Sequence, residues 1–194
     1  LLKHQQAAAE HSAMHSDVSK WDALRELAAA RKAYGLSDRD LSVLQALISF
    51  LHGKTIAPQP GGPVVHPSNR VICERLNGMP CSTMRRHIAR LVDAGLLMRR
   101  DSPNGKRYVR KHGEERVAFG FDLSPLYCRS EEVARAAEAV REGEDRVRRL
   151  REVVSLMRRD LAALAEFGEE IQPGLGLWDQ LRDKAVLTAR ALRR

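Results

Sequence analysis

At 194 residues, 43% of them hydrophobic and 30% charged, the chain can hold one or two domains with a buried core. A net charge of +8 suits a polyanion partner, and an aromatic content of 5% argues against a single-strand binder built on base stacking. Cys73, Cys81 and Cys128 are scattered with no C-x-x-C pair, so neither a disulfide framework nor a structural zinc site is expected.

Residues 1–20 are polar, His-rich and Ala-rich. They are expected to be poorly ordered, with His4, His11 and His15 belonging to a mobile end rather than a metal site. From Lys20 to Ala33, Trp21, Leu24, Leu27 and Ala28 recur at helical spacing. Residues 1–34 thus read as an arm and a short amphipathic helix. A domain over 35–124 opens at Leu36, with Ser37 as N-cap and Asp40 at N3 of a first core helix. Leu41, Leu44, Leu47, Ile48 and Leu51 form its apolar stripe, and Gly53 ends it. A Pro/Gly loop over 54–67 contains a short strand at Val64-Val65.

The second helix spans Ser68 to Leu76, Asn77 to Pro80 form a turn, and the third helix spans Ser82 to Ala94, closed by Gly95. A strand over Leu96–Asp101 leads to Asn104-Gly105, the strongest two-residue hairpin signal of the chain, and to Lys106–Arg110. A further strand, Arg116–Phe121, alternates apolar side chains at 117, 119 and 121. Either it or 106–110 can pair with 96–101. The expected fold is mainly α with a small β-hairpin wing, a winged helix-turn-helix that places one helix in a DNA major groove.

Ser124-Pro125 then starts a helix. From Glu131 a heptad places Val133, Val140, Val147, Val154 and Leu161 at a, and Ala136, Gly143, Leu150, Met157 and Leu164 at d. A long coiled-coil-like helix is expected over 125–167, with Gly143 its weak point. Residues 168–194 read as a break, Gly168 to Gly176 with Pro173 inside, and a terminal helix from about Leu177. The chain begins at Leu1 and stops within a helical pattern, as a piece of a longer protein would. It shows no membrane-length apolar run and no secretory leader, and a cytoplasmic location is expected.

Between Ser82 and Arg116, ten basic residues face four acidic ones, so most of the net charge lies there. On the third helix Met84, Ile88, Leu91 and Val92 gather on a core side. Ser82, Arg86, Ala89, Arg90 and Asp93 lie opposite, flanked by Thr83 and Arg85. The candidate DNA-binding residues of this helix are Ser82, Thr83, Arg85, Arg86 and Arg90. Arg86 and Arg90 can each fork onto a guanine edge, while Ser82 and Thr83 sit where hydroxyls and free N–H groups bind phosphate. The alternative for the two arginines is phosphate contact, or pairing with Asp93. The wing supplies Asn104, Lys106, Arg107, Tyr108 and Arg110 to the adjacent backbone or minor groove. Tyr108 has an ordinary alternative as a half-buried strand residue.

No phosphate loop, G-x-S-x-G or H-E-x-x-H is present. His52, His66, His87 and His112 lie apart, none with an evident nucleophile or carboxylate partner in sequence. No catalytic residue, metal or cofactor is expected, and the protein is read as not an enzyme.

The strings GLSDRDLSVLQALISF at 35–50, HPSN at 66–69, STMRRHIARLVDAGLLMRRDSPNGKRYVRK at 82–111 and AFGFDLSPL at 118–126 resemble RepC. RepC is the replication initiator of alphaproteobacterial plasmids that carry a repABC cassette. The resemblance covers about residues 20–165 and extends to GLWDQLRDKA. It implies a protein that recognises a plasmid replication origin lying within the initiator's own coding region. Such a protein helps to open that origin or to load host replication proteins, with no chemistry of its own. The family's proteins also carry a further C-terminal region.

The first reading is therefore sequence-specific binding of double-stranded DNA at a replication origin. A winged-helix transcription regulator at an operator would use the same residues for the same physical work. A third reading makes the heptad helix a partner-binding or dimerising module. Helices 20–33 or 177–192 can cover its seam within one chain, and this is preferred narrowly to a homodimer on DNA.

Overall fold

The computed structural model describes residues 18–56, 62–112 and 115–193. The arm over residues 1–17, with His4, His11 and His15, lies outside them. Two compact units are present, Leu1–Val140 and Arg141–Arg194. The architecture is mainly helical, with small antiparallel sheets and one long helix.

In the first unit, β1 (Val18–Ser19) runs into α1 (Lys20–Ala30), and the Ser19 side chain accepts from the Asp22 N–H. Leu27 and Ala30 are fully buried, and Lys20 donates its Nζ to the Leu51 carbonyl at 2.7 Å. The helix stops at Ala30, short of Ala33. There the chain turns through Gly35, at φ +64°, and the Leu36 N–H returns to the Arg31 carbonyl at 2.9 Å.

α2 (Asp38–Ser49) opens with the expected capping box between Ser37 and Asp40. Val43, Leu44, Leu47 and Ile48 are completely buried, whereas Leu41 and Leu51 are only half-buried. Its inward face is thus turned toward Val43 relative to the stripe read from sequence. Each such aliphatic side chain contributes roughly 1.5–3 kcal/mol by leaving water. β2 (Thr55–Ile56) pairs antiparallel with β1, a two-residue bridge too short to leave a periodicity signal.

β3 (Val64–Val65) precedes α3 (Asn69–Arg75), which Ser68 caps by accepting from the Val71 N–H. Asn77 at φ +54° and Gly78 at φ +79° make the turn, since two successive left-handed residues reverse the chain within a few positions. α4 (Cys81–Asp93) follows, burying Met84, His87, Ile88 and Leu91.

The strands settle the open pairing and correct one expectation. β6 (Glu115–Asp122) is shared by β3, β4 (Met98–Arg100) and β5 (Tyr108–His112). β3 and β4 flank its C-terminal end, with Val65 and Arg99 both registered to Phe121. β5 pairs with its N-terminal part, from Tyr108↔Phe119 to His112↔Glu115. Asn104-Gly105 is therefore a turn between strands that do not pair with each other. The longer alternating strand 115–122 outcompetes the short 98–100 as partner of β5.

α5 (Ser124–Cys128) and α6 (Ser130–Ile171) are separate helices where one was expected. Arg129 breaks them at φ −100°, ψ 10°, its side chain drawn back to the carbonyls of Ala94 and Gly95. α6 also runs past Gly168, where the break was expected, and ends only before Pro173. Gly168 is kept helical because its bare backbone receives the Trp178 ring; a Cβ there would lie 2.5 Å from Trp178 Cη2.

In the second unit α7 (Gly176–Leu192) meets the C-terminal turns of α6. Trp178 Nε1 donates to the Gln172 carbonyl at 3.0 Å, and Arg182 lies 3.7 Å from Glu169. The burial departs from an a/d seam. Val154 and Leu161 at a are half-covered, as is Arg158, and Ala165 is fully buried. Leu150, Met157 and Leu164 at d, and Ile171 one heptad beyond them, remain 56–68% exposed. Gly168 and Ala165 provide the close approach on which α7 settles, and this draws the covered edge away from d.

Candidate nucleic-acid interface

The apolar side of α4 is fixed first: Met84 and Leu91 are completely buried and Ile88 nearly so. What then faces outward follows from helical spacing. Ser82, Arg85, Arg86 and Arg90 are exposed and Thr83 is half-buried. Pro80 stands at the N-cap and supplies no side-chain hydrogen bond to the first amide groups of α4.

Beneath this surface Asp40 ties α4 to α2. Its Oδ2 accepts from the Ser37 backbone at 2.7 Å and from the Ser37 hydroxyl at 2.6 Å. Its Oδ1 accepts from His87 Nδ1 at 2.7 Å, and Arg90 Nη1 lies 3.7 Å from Oδ2. Burial pushes this carboxyl up, but the hydrogen bonds from Ser37 and His87 outweigh burial and hold it below the ordinary carboxylate value. His87 therefore has a carboxylate partner after all, supplied by tertiary contact rather than by a neighbour in sequence. Arg90 is likewise offset by Asp40 and not by Asp93.

The wing residues divide into those that face solvent and those that build the wing. Lys106 and Arg110 are exposed. Asn104 Oδ1 lies 2.8 Å from the Ser102 hydroxyl and accepts from the Lys106 N–H at 3.2 Å, so its carbonyl oxygen holds the turn together. Tyr108 is half-buried, its ring centroid 5.1 Å from that of Phe119, which matches its ordinary alternative. Arg107 is half-buried, bonded through Nη2 to Asn69 Oδ1 and stacked 4.7 Å from the Phe121 ring centroid. It braces the sheet against α3.

Two residues that sequence reasoning missed join this surface. Arg99 is exposed on β4 beside Arg107. Arg129 donates through Nη1 to the Ala94 carbonyl at 2.7 Å and the Gly95 carbonyl at 3.3 Å, capping the C-terminal end of α4 with a charge of the stabilising sign. Glu132 orients it with contacts of 2.8 and 2.7 Å. Those Arg129 hydrogen bonds, opposed by some desolvation and helped by Tyr34, bring the Glu132 carboxyl down to about 2. The basic run from 82 to 116 pointed to Arg99; nothing local to Arg129 pointed to α4.

Along most of its length the chain matches the description "Replication protein C N-terminal domain", over residues 1–169. The chain belongs to the replication protein C family. A protein of Sinorhizobium fredii (strain NBRC 101917 / NGR234) whose name carries "replication protein C" is 45% identical over 167 residues, covering 84% of this chain and 41% of the relative. A Rhizobium rhizogenes protein similarly named is 44% identical over 149 residues, covering 76% of this chain and 36% of the relative. The chain thus spans about two fifths of the length of these replication protein C relatives. No solved structure matches it. Among the described residues no helix is long and apolar enough to cross a membrane, and no group of three or more His, Cys, Asp or Glu side chains is placed to hold a metal ion.

Proposed function

We propose that residues 35–124 act as a winged helix-turn-helix that binds double-stranded DNA at a plasmid replication origin. In this reading the chain contributes to replication initiation and performs no chemistry itself. The observation that carries it is the exposed edge of α4, with Ser82, Arg85, Arg86 and Arg90 outward over an underside of buried Met84, Ile88 and Leu91 clamped through His87. The order α2, β3, α3, α4, β4, then the β5–β6 hairpin, with β6 between β3 and β4, supports the winged-helix reading. Membership of the replication protein C family favours an origin over an operator. Host replication proteins are the partners this function calls for.

The test is fluorescence anisotropy with labelled duplexes tiled across the chain's own coding region, against scrambled duplexes, at several salt concentrations. One tile bound at least ~10³-fold tighter than controls is the expected result. Weak, uniform and steeply salt-dependent binding would remove origin readout. With that tile, Arg86→Ala should weaken the specific site by roughly 1–3 kcal/mol and scrambled DNA less. Lys106→Ala should weaken both alike and lower the salt slope by about 0.9.

A second reading, self-association through the second unit, is favoured by the exposed row Leu150, Met157, Leu164 and Ile171. A heptad-spaced row of this kind is complementary to a second copy of itself, while α7 covers a different edge. Sedimentation equilibrium of the wild type and of Leu164→Asp decides it. Concentration-dependent mass in the wild type alone is expected, and a monomer in both would end the idea.

A further inference from the structure

Between α4, β4 and the turn before β5 lies a cleft of about 190 Å³. That is below the roughly 300–1,000 Å³ of drug-sized sites, yet several times the ~30 Å³ occupied by one water in the liquid. Three guanidinium groups line it from three elements: Arg85 on α4, Arg99 on β4 and Arg107 just before β5. Arg100 is also there but is spoken for, with Nε and Nη2 each 2.6 Å from the buried Asp122 carboxylate. One carboxylate, Asp101, stands in the lining, so the positive excess survives.

Arg107 shows that the site is built rather than incidental. Nη2 is anchored on Asn69 and the guanidinium plane rests on Phe121, which leaves Nη1 shielded from solvent with no hydrogen-bond partner among the described residues. Burial, then the charges of Arg99 and Arg85, push this guanidinium below the usual arginine value. A buried donor without an acceptor, held beside two like charges, costs stability unless an anion arrives.

Resting on the DNA reading above, we infer that this cleft is a single-phosphate site, in which Arg85, Arg99 and Arg107 jointly take one phosphodiester of the duplex backbone and so fix the register of α4. The shared chemistry is a tetrahedral oxyanion. Inorganic phosphate is a probe for the site, and the duplex is its proposed source of ligand.

Two measurements on the whole chain test this. In the first, inorganic phosphate is titrated while the arginine side-chain Nε–H resonances are followed by NMR. The Arg107 resonance should shift saturably in the wild type and stay still in Arg85→Gln/Arg99→Gln, two exposed positions whose loss leaves the core intact. Asp101→Asn should tighten phosphate by roughly two- to five-fold, the usual worth of one exposed charge. No shift in the wild type overturns the site, whatever the DNA result.

In the second, duplex affinity is measured against salt. Because one phosphate is shared, the double variant should lose about 0.9 of slope, the release expected for one phosphate, and no more than the larger of the two single variants. A loss near twice that value means two separate phosphates and refutes the shared site. Wild-type DNA binding with an unchanged slope in the double variant removes the cleft while leaving the DNA reading standing. Phosphate binding that duplex does not displace assigns the site to a free anion and refutes the backbone source.

Discussion

His87 on α4 donates its Nδ1–H to Asp40 on α2 across 2.7 Å, with both side chains buried. The angle at which the exposed face of α4 is presented thus depends on a polar clamp as well as on apolar packing. His87 Nε2 is buried without a hydrogen-bond partner among the described residues, so there the ring's polar contact is the one to Asp40.

Asp40→Asn should lower stability at neutral pH by roughly 1.5–3 kcal/mol, the range for hydrogen bonds to a charged group. The folded-state carboxyl lies below its unfolded value of about 3.9, so its contribution is complete above that pH and is lost as pH falls through the lower folded value. The gap between wild type and variant in urea unfolding should therefore narrow below about pH 4. A gap of equal size at pH 7 and pH 3 would show that the carboxylate charge is not what the clamp uses.

Arg129→Ala removes the guanidinium that caps the Ala94 and Gly95 carbonyls. A loss of about 1–2 kcal/mol is expected, with faster amide exchange confined to the last turn of α4 and the turn after it. Arg129→Lys should restore only part, since one ammonium cannot serve both those carbonyls and Glu132 in the same fork. Uniformly faster exchange through α2 and α3 instead would place the role of Arg129 in the core rather than at the cap.

Two glycines should respond with opposite signs. At Gly120 an added Cβ would lie 2.2 Å from the Val65 carbonyl oxygen, so Gly120→Ala must push β3 off β6 and should cost at least ~1–3 kcal/mol. At Gly143, inside α6, an added Cβ meets nothing within 4 Å among the described residues, and Gly143→Ala should stabilise by roughly 0.5–1 kcal/mol. Melting temperatures moving in the same direction would contradict this account.

Cys73 and Cys81 bracket the turn between α3 and α4 with their sulfurs 2.9 Å apart, both as free thiols. Burial, with the Cys81 contact, pushes the Cys73 thiol up to about 11, so iodoacetamide should alkylate Cys81 and the exposed Cys128 before Cys73. Diamide should take two electrons and two protons from the Cys73 and Cys81 thiols to leave one disulfide, read by peptide mass after trypsin. Cys73 modified first, or no 73–81 peptide pair after diamide, would refute the arrangement.

The elements with strong local signals were legible in the sequence. Ser37 with Asp40, Ser68, and the Asn77-Gly78 turn each announce their structure within four residues, and Met84, Ile88 and Leu91 set the inward side of α4. What escaped depends on long-range contact. Asp40 reads as a capping residue, and its second task appears only when His87 arrives from 47 positions away. The bracing contacts of Arg107 escaped because neither Asn69 nor Phe121 is near it in sequence. Asn104-Gly105 carries a hairpin signature, but pairing is a competition, and β6 offers β5 more partners than β4 does. The heptad placed α6 correctly as a long helix, while its covered edge was decided by two small residues, Ala165 and Gly168.

β6 carries two kinds of duty along a single strand. From Gly120 it pairs with β4, and from Phe121 with β3 as well; up to Phe119 it pairs with β5 alone. Because side chains alternate with a period of two, residues added or removed in matched pairs at the far end of the β5–β6 ribbon leave the register at Gly120 to Asp122 untouched. The molecule thereby separates reach from orientation. The outer ribbon can lengthen or shorten like the jaw of a caliper, while the inner end of the same strand keeps its place between β3 and β4.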